Sequence, residues 1–394
     1  MREQQYTKIS ERAWEELAGQ GMTPDEAVRY FSSELQPRTF GNVLKALMEK
    51  KHMRQDQLLD RLLLMRTQIQ KDSLRKRIQI WLNGGGQPSE REEWFQLCYA
   101  LYLDEMEAKE FFCYCQEGGF HLREPREAGY LYCLRSGKTY QESRVFLDGI
   151  AGIDGPFPAA EKSAENYTRT VEDSFAKVHT DAEFLAFIQD NQSNFGTLHN
   201  TAYGYFCRFF DELVRPTGPC SAEEDEAYSI EQVVDTYLRM GLPSNRKTSG
   251  YSPKQKAIKR LWPNATAIKN MRSRKADVSR KVLLLLYLVT EGLDDGAIEE
   301  SLGWEPLDGT AQLEEHSWNI DLMLHECGYA PLDPRNPFDW LVLYSLGTDG
   351  ETETMSDRLA SILTELFPDE DAGRELDDGQ TAHDIISSKA AHFK

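Results

Sequence analysis

The sequence predicts an all-α, multi-helix fold, because its apolar residues recur with helical periodicity and strand patterns are hard to find. Apolar positions follow one another at three- and four-residue spacing along most of the 394 residues, which is the period of an amphipathic helix. Strict alternation of apolar and polar residues, which is typical of a half-buried strand, is scarce. Helix start signals are frequent: at Thr23-Pro24-Asp25-Glu26 a capping hydroxyl precedes a proline and two acids, which predicts a helix over residues 23–35.

The length and composition predict a soluble protein with more than one hydrophobic core. A chain of 394 residues exceeds the usual size of a single core, and its 40% hydrophobic content is typical of a folded protein. The longest apolar run, 282–289, is too short for a membrane helix, and the first residues lack the apolar stretch of a secretion signal. The seven cysteines form no regular framework and no C-x-x-C pair. We therefore expect a cytoplasmic protein without a membrane partner, disulfides or structural zinc.

Helical segments and the breaks between them divide the sequence into a series of predicted parts. A helical hairpin over 1–37 has helices near 9–17 and 23–35. The next part, over 38–149, is a helix-turn-helix-like domain with helices near 39–51, 54–64, 73–83, 89–102, 104–116, 126–135 and 139–149. A stretch rich in glycine and proline at 150–160 marks a domain boundary.

Three further parts follow this boundary. The first is a helical region over 161–214, which a polar linker at 215–226 separates from the rest. The second is a C-terminal helical domain over 227–367, with a basic segment at 239–281 and helices near 229–240, 253–261, 277–290, 308–327 and 336–347. The third is an acidic, flexible tail over 368–394.

Two basic segments stand out in a chain whose formal net charge is -20. Residues 38–82 carry eleven Lys and Arg against four acids, and residues 239–281 carry thirteen against Asp277 alone. The two segments thus have net charges of +7 and +12, and the remaining residues have -39. The overall charge repels phosphate, whereas the basic segments attract it. Two interpretations remain open: contact with a nucleic acid, or pairing of the basic segments with acidic faces of the same protein.

The first basic segment contains a predicted helix with one apolar face and one basic face. Leu74, Ile78 and Trp81 are spaced i, i+4 and i+7, which places them on one inner face. The helix is predicted to stop at the glycines after Asn83, and Ser89 caps the next helix. The positions left on the outward side are Arg75, Lys76, Arg77 and Gln79.

Residues 38–112 resemble the Cro and phage-repressor (Xre-like) helix-turn-helix family. RQDQLLDRL at 54–62 resembles the second helix of the family, and LRKRIQIWLNGGGQPS at 74–89 is similar to its recognition helix and the turn after it. EREEWFQLCYALYLDEMEAKEFF at 90–112 resembles the helices that follow. The resemblance implies DNA as the partner. It implies contacts to base edges or nearby phosphates from Arg75, Lys76, Arg77 and Gln79, and a phosphate held by Arg54 and Gln55.

The spacing departs from the family pattern in one place. Leu62 and Trp81 are nineteen positions apart, which is further than in the family. Residues 63–72 therefore extend the second helix or add a turn. A degenerate module that is kept for protein contacts is the alternative interpretation.

The second basic segment has a related order of a basic helix, a polar turn and an apolar helix, and a second, diverged helix-turn-helix is one interpretation. Its cations also form a candidate phosphate-binding surface without such a repeat. The residues of this second basic surface are Lys254, Lys256, Lys259, Arg260, Lys269, Arg272, Arg274 and Lys275.

No catalytic motif is found in the sequence. The glycines at 84–86 lack the following lysine of a phosphate-binding loop, and no nucleophile elbow or H-E-x-x-H pair is present. The eight histidines are dispersed and have no partner at metal-ligand spacing. We therefore predict no catalytic residues, no metal, no cofactor and no enzymatic activity.

The function predicted from these observations is that of a DNA-binding transcription regulator, in which a helical C-terminal region senses a signal or binds a protein partner or a second copy. The alternative is a non-enzymatic helical interaction scaffold, for example in a bacterial defence or mobile-element system. Exposure of Arg75, Lys76 and Arg77 on one convex surface favours the first prediction, and their burial against acidic residues favours the second.

Overall fold

A computed structural model describes residues 22–66, 69–84, 86–115, 119–155, 167–196, 198–215, 227–242, 250–260, 262–290, 309–347 and 353–368. All regular secondary structure in these ranges is helical, so the predicted all-α class is confirmed. The helix expected near 9–17, residues 216–226 of the polar linker predicted at 215–226, and the tail beyond Pro368 lie outside the described residues.

The described residues form eighteen α-helices, which we number in chain order. They are α1 (Pro24–Arg29), α2 (Phe40–Lys50), α3 (Gln55–Met65), α4 (Lys71–Leu82), α5 (Arg91–Ala100), α6 (Glu105–Cys115), α7 (Pro125–Arg135), α8 (Tyr140–Asp148), α9 (Tyr167–Phe175), α10 (Asp181–Asp190), α11 (Asn200–Val214), α12 (Ile230–Val233), α13 (Pro253–Arg260), α14 (Ala265–Arg272), α15 (Arg280–Val289), α16 (Gly309–Glu326), α17 (Pro337–Leu346) and α18 (Met355–Leu366). Two of them continue into π-helical turns, α1 over Tyr30–Glu34 and α12 over Val234–Leu238.

The helix bounds predicted between 39 and 149 are confirmed to within two residues at each end. Local caps explain this agreement. The hydroxyl of Thr39 accepts a hydrogen bond from the backbone N–H of Asn42 at 3.3 Å, and a complete capping box starts α8 at Thr139. The basic helix predicted in the second basic segment corresponds to α14, whereas α18 is a finding of the structure that the predicted helices did not include.

The first hydrophobic core runs from Phe40 to Phe195 and is rich in aromatic side chains. Phe40 meets Trp94 edge-on with ring centroids 4.9 Å apart, and Phe95 stacks on Tyr130 at 4.4 Å. Such aromatic pairs add to the stabilisation that burial alone provides. This core therefore holds α2 to α10 together.

The second hydrophobic core consists of α1 and the helices from α11 to α18. Every residue from Val282 to Leu288 in α15 is buried, and so is all of α17. Trp340 of α17 stacks on Tyr30 at 5.7 Å between ring centroids and lies 5.3 Å from the Phe31 ring. α1 therefore packs against helices that lie some 300 positions later in the chain.

The two cores take their helices from different parts of the chain. α9 and α10 belong to the first core, because Phe184 stacks on Tyr132 of α7 at 4.9 Å. α11 belongs to the second core, so the predicted region 161–214 is shared between both. The change from one core to the other lies between Phe195 and Ala202.

The two cores meet where the chain passes between them. After α1, the backbone N–H of Arg38 donates to the carbonyl of Arg335 at 2.7 Å, and its guanidinium pairs with Asp333 at 3.3 Å. Before α11, Nδ1 of His199 lies 2.9 Å from a carboxylate oxygen of Asp277. Both passages are thus held by polar contacts to the second core.

Gly41 allows α2 to approach the C-terminal end of α4 closely. A Cβ atom at this position would lie 2.5 Å from the Trp81 carbonyl oxygen and 3.2 Å from the Gly84 nitrogen. We expect Gly41→Ala to lower the free energy of unfolding by about 1–3 kcal/mol, because backbone atoms have to move. Gly204→Ala in α11 is the control, since nothing lies within 4 Å of its Cβ position.

Urea denaturation measures both effects. The control should gain up to about 1 kcal/mol, since alanine favours a helix interior. Equal stability changes in the two variants would contradict the close approach at Gly41.

Candidate nucleic-acid interface

The inner face of α4 fixes this helix against the first core. Leu74, Ile78 and Trp81 are buried, and Trp81 meets Phe40 edge-on with 6.0 Å between ring centroids. The last residue of α4 is Leu82, and Gly84 follows with a φ of +73°, a conformation that glycine adopts without strain. The predicted inner face and the glycine stop are therefore confirmed.

The outward face of α4 presents three of the predicted contact residues to solvent: Arg75, Lys76 and Gln79. The guanidinium of Arg75 pairs with Asp72, one turn earlier, at 2.7 Å. Within the part of the chain that the structure describes, the ammonium of Lys76 has no ion-pair or hydrogen-bond partner. Ile80, one turn after Lys76, is 51% exposed. The face therefore combines two cations, an amide and one apolar side chain.

Arg77, the fourth predicted contact residue of α4, differs from these three residues in its contacts. Its side chain is half-buried, its guanidinium forms an ion pair with the buried carboxylate of Glu93, and it lies 5.5 Å from the centre of the Trp81 ring. Position 77 lies at the border between the two faces, from which a long arginine side chain can reach inward. Arg77 thus holds α4 in place.

Glu93 of α5 connects α4 to the end of α3. Arg66 follows the last residue of α3, and its Nη1 donates to Oε1 of Glu93 at 2.8 Å, while Nε donates to Gln96. The side chains of Arg66 and Glu93 are only 9% and 8% exposed. Burial lowers the pKa of Arg66, and the nearby Glu93 carboxylate acts in the opposite direction. Because Arg66 and Arg77 share one carboxylate, Glu93 positions α4 relative to α3.

The connection between α3 and α4 agrees with the prediction for residues 63–72. α3 continues to Met65, beyond the predicted end at 64, and α4 begins at Lys71. Residues 67 and 68 between them lie outside the described ranges. Lys71 pairs with Asp60 of α3 at 3.1 Å, so the two helices are also linked at the surface.

The N-terminus of α3 places Arg54 at the surface. Its side chain is 73% exposed and pairs with Asp56 at 3.1 Å, and this hydrogen-bonded contact lowers the pKa of Asp56. Gln55, the first residue of α3, is half-buried. The backbone N–H of Arg54 donates to Oε1 of Gln57 at 2.8 Å. A phosphate at this helix end therefore competes with Asp56 for Arg54.

Several cations of the second basic surface are engaged by neighbouring groups. The ammonium of Lys254 donates to the carbonyls of Phe31 and Ser32, and burial lowers its pKa. The remaining contacts are an ion pair of Lys269 with Glu231, a pair of Arg272 with Asp211 at 3.3 Å, a hydrogen bond from Arg274 to Asn200 at 2.6 Å, and a contact of Lys259 with the Tyr251 ring at 4.9 Å.

The other members of this surface are distributed over different elements. Lys256 of α13 and Lys275, in the turn before α15, are exposed, and the side chain of Arg260 lies outside the described set. The second basic surface therefore spans α13, α14 and the following turn. Several of its cations contact acidic or aromatic groups of the same chain. The outward face of α4 is the simpler candidate interface.

The most deeply buried ion pair of the described residues was missed by the sequence prediction. Arg280, the first residue of α15, donates to both carboxylate oxygens of Asp339 in α17 at 2.7 and 2.9 Å. The two side chains are 4% and 2% exposed. Arg280 also donates to the carbonyls of Ala330 and Pro331. The available signals were a lone arginine at the start of an apolar helix and a lone acid after Pro337.

Two other kinds of feature are absent from the residues that the structure describes. No group of three or more His, Cys, Asp and Glu side chains in these ranges is arranged to hold a metal ion. Among the helices that the structure describes, none combines the length and the apolar character that crossing a membrane requires.

The chain matches no protein-family model, and comparisons with curated proteins and with solved structures found no significant match. The fold and the site therefore define the structural class of the protein. It is an all-α protein with two hydrophobic cores, and an amphipathic helix with exposed cations packs on the first core.

Proposed function

We propose that the protein is a DNA-binding regulator that binds duplex DNA through the outward face of α4. The observation that carries this proposal is the combination of a buried inner face on this helix with exposed Arg75, Lys76 and Gln79 on the other side. The major groove of B-DNA is about 12 Å wide and admits one α-helix. α4 has 12 residues, so its length of about 18 Å spans several base pairs.

The exposed side chains suit distinct contacts in this proposal. The guanidinium of Arg75 can bridge two acceptors of guanine, and the amide of Gln79 can do the same for adenine. Lys76 and Arg54 supply cations for phosphates, which fix the position of a protein on the duplex. Gln55 lies at the N-terminus of α3, where the backbone N–H groups favour an anion. Arg77 has the role of orienting α4.

The second candidate function, that of an interaction scaffold, is favoured by two exposed apolar side chains near the α3–α4 connection. Leu64 and Val145 are 73% and 76% exposed. The side-chain amide of Gln141, one turn before Val145, donates to the Leu64 carbonyl at 3.1 Å, so the two apolar side chains belong to adjacent helices. Apolar patches of this kind mark protein contact surfaces when they are contiguous. In this case Arg75 and Lys76 serve only as solvated surface groups.

The salt dependence of duplex binding tests the proposed function. We expect measurable binding of a labelled random-sequence duplex at about 50 mM salt, with affinity that decreases as salt increases. The variant Arg75→Glu with Lys76→Glu should lower the affinity at least about tenfold and reduce the slope against log salt by about 1, because the phosphate-neutralising cation Lys76 is lost together with the base contact of Arg75. Fluorescence anisotropy measures both quantities.

A matched control separates the surface of α4 from the effect of net charge. Lys177→Glu with Arg208→Glu changes the charge by the same amount at two exposed positions away from α4, and its affinity should stay within about twofold of the unmodified protein. Absence of binding at about 50 mM salt, or equal losses in both variants, would contradict DNA binding through α4.

A further inference from the structure

A cleft of about 660 Å³ opens between the two cores, beside the C-terminal end of α4. Residues 82–84 line it on one side, and α1, α13 and α18 also contribute to its lining. The charged side chains of the lining are Lys45, Lys254 and Glu365. Lys45 is exposed, and its ammonium has no ion-pair or hydrogen-bond partner in the ranges that the structure describes. This cation is therefore available to a carboxylate.

The described part of the chain ends at the same cleft. Pro368, two residues after the end of α18, is exposed and belongs to the lining. The next ten residues, DEDAGRELDD at 369–378, contain six acids and one arginine, so their net charge is -5. A strongly acidic segment thus follows in sequence a residue of the cleft that Lys45 also lines.

The distance from the cleft to the exposed cations of α4 is within reach of this segment. Lys76 precedes Asn83 by seven positions, which is about 10 Å along a helix. Ten residues of extended chain span up to about 33 Å. A segment tethered next to its binding surface also has an effective concentration in the millimolar range. Glu365 repels carboxylates near α18, which favours approach toward α2 and Lys45.

We propose that residues 369–378 dock in this cleft, pair with Lys45 and Lys76, and compete there with DNA phosphates for the surface of α4. The docking rests on the cleft, its cation and the charge of the segment that starts there. The competition rests in addition on the proposed function. The occupant is therefore a segment of the same chain, and its carboxylates take the place of phosphates.

Carbodiimide cross-linking of the full chain without DNA tests the docking. This reagent joins a carboxylate to an amine in direct contact, and we expect a peptide from 369–378 linked to Lys45, with a further link to Lys76. The ion pairs Lys51–Glu107 at 2.6 Å and Lys109–Glu105 at 2.7 Å are internal positive controls. If these pairs cross-link and the acidic segment joins neither lysine, the docking is wrong.

A mixture of unlabelled and isotope-labelled chains shows whether the link lies within one copy. Links found only between light and heavy chains would overturn the assignment to the same chain. Added duplex should suppress the link to Lys76, since phosphate and carboxylate compete for this cation, and an undiminished link to Lys76 at saturating duplex would overturn the competition.

Affinity measurements on the full chain complete the test. The variant D369N/E370Q/D371N should bind duplex at least about threefold more tightly than the unmodified protein at about 50 mM salt, because fewer carboxylates compete. The control E314Q/E315Q/D190N removes three exposed acids outside the cleft lining. Equal gains in both variants would reflect net charge alone and would overturn the competition. If no variant binds DNA, the proposed function fails, while the cross-linking result still decides whether the segment docks.

Discussion

Replacement of Asp339 with alanine should lower the free energy of unfolding by about 3–5 kcal/mol, because it leaves the guanidinium of Arg280 buried without its carboxylate. Asp339 accepts two hydrogen bonds from Arg280 and one from the backbone N–H of Asp333. Arg280 also donates to the backbone carbonyls of Ala330 and Pro331, which do not neutralise its charge. Urea denaturation of the unmodified protein and the variant measures the loss.

Two further variants show that the loss comes from an unpaired buried charge. Asp235 pairs with Arg239 at 2.6 Å, but both side chains are about half exposed, so Asp235→Ala should change stability by less than about 1 kcal/mol. The double variant Arg280→Met with Asp339→Leu removes both buried charges and should recover much of the stability. A loss for Asp339→Ala no larger than that for Asp235→Ala would contradict this account of the pair.

Glu93→Gln is the second change for which we expect a large effect, about 3 kcal/mol of unfolding free energy, because two arginines lose a shared buried carboxylate. The variant should also bind duplex more weakly at salt concentrations where it is folded, since α4 loses its link to the end of α3. The slope of affinity against log salt should stay unchanged, because Glu93 itself contacts no phosphate. Denaturation, anisotropy and hydrogen exchange of the α4 amides measure these three properties.

The slope of duplex affinity against log salt distinguishes a residue that positions α4 from a residue that contacts DNA. Arg75→Glu with Lys76→Glu is expected to change the slope, whereas Glu93→Gln changes the affinity alone. Glu90→Gln is the matched control, because Glu90 is exposed immediately before α5, and it should affect neither stability nor affinity. If Glu93→Gln leaves the exchange of α4 amides as in the unmodified protein, Glu93 does not position this helix.

Much of the fold could be predicted from the sequence because helix ends depend on local signals. Thr23 and Glu26 form a complete capping box at the start of α1, and Gly84 supplies the left-handed turn after α4. The inner face of α4 also follows from spacing alone, since Leu74, Ile78 and Trp81 recur with helical period. These features can be predicted without knowing which helix packs against α1 or α4.

The division into two cores and the position of Arg77 could not be predicted in this way, because both depend on distant partners. Arg77 turns inward toward Glu93, sixteen positions later in another helix. Arg280 and Asp339 are 59 positions apart, and neither residue carries a local signal for the other. α9 shows the same difficulty at the level of whole helices: its apolar face predicts burial, but the choice of core depends on packing.

The arrangement in which residues 40–195 are enclosed between two parts of the second core sets an order of events during synthesis. The first core is complete in sequence once Phe195 has been made, whereas Tyr30 and Phe31 of the second core pack against Trp340. At about 5–20 residues per second, the partner of Phe31 follows it by roughly 15–60 s. During this interval the rings of Tyr30 and Phe31 lack Trp340, although Lys254, which contacts Phe31, is made earlier. The nascent chain therefore carries a folded first core together with an incompletely packed α1 until α17 emerges.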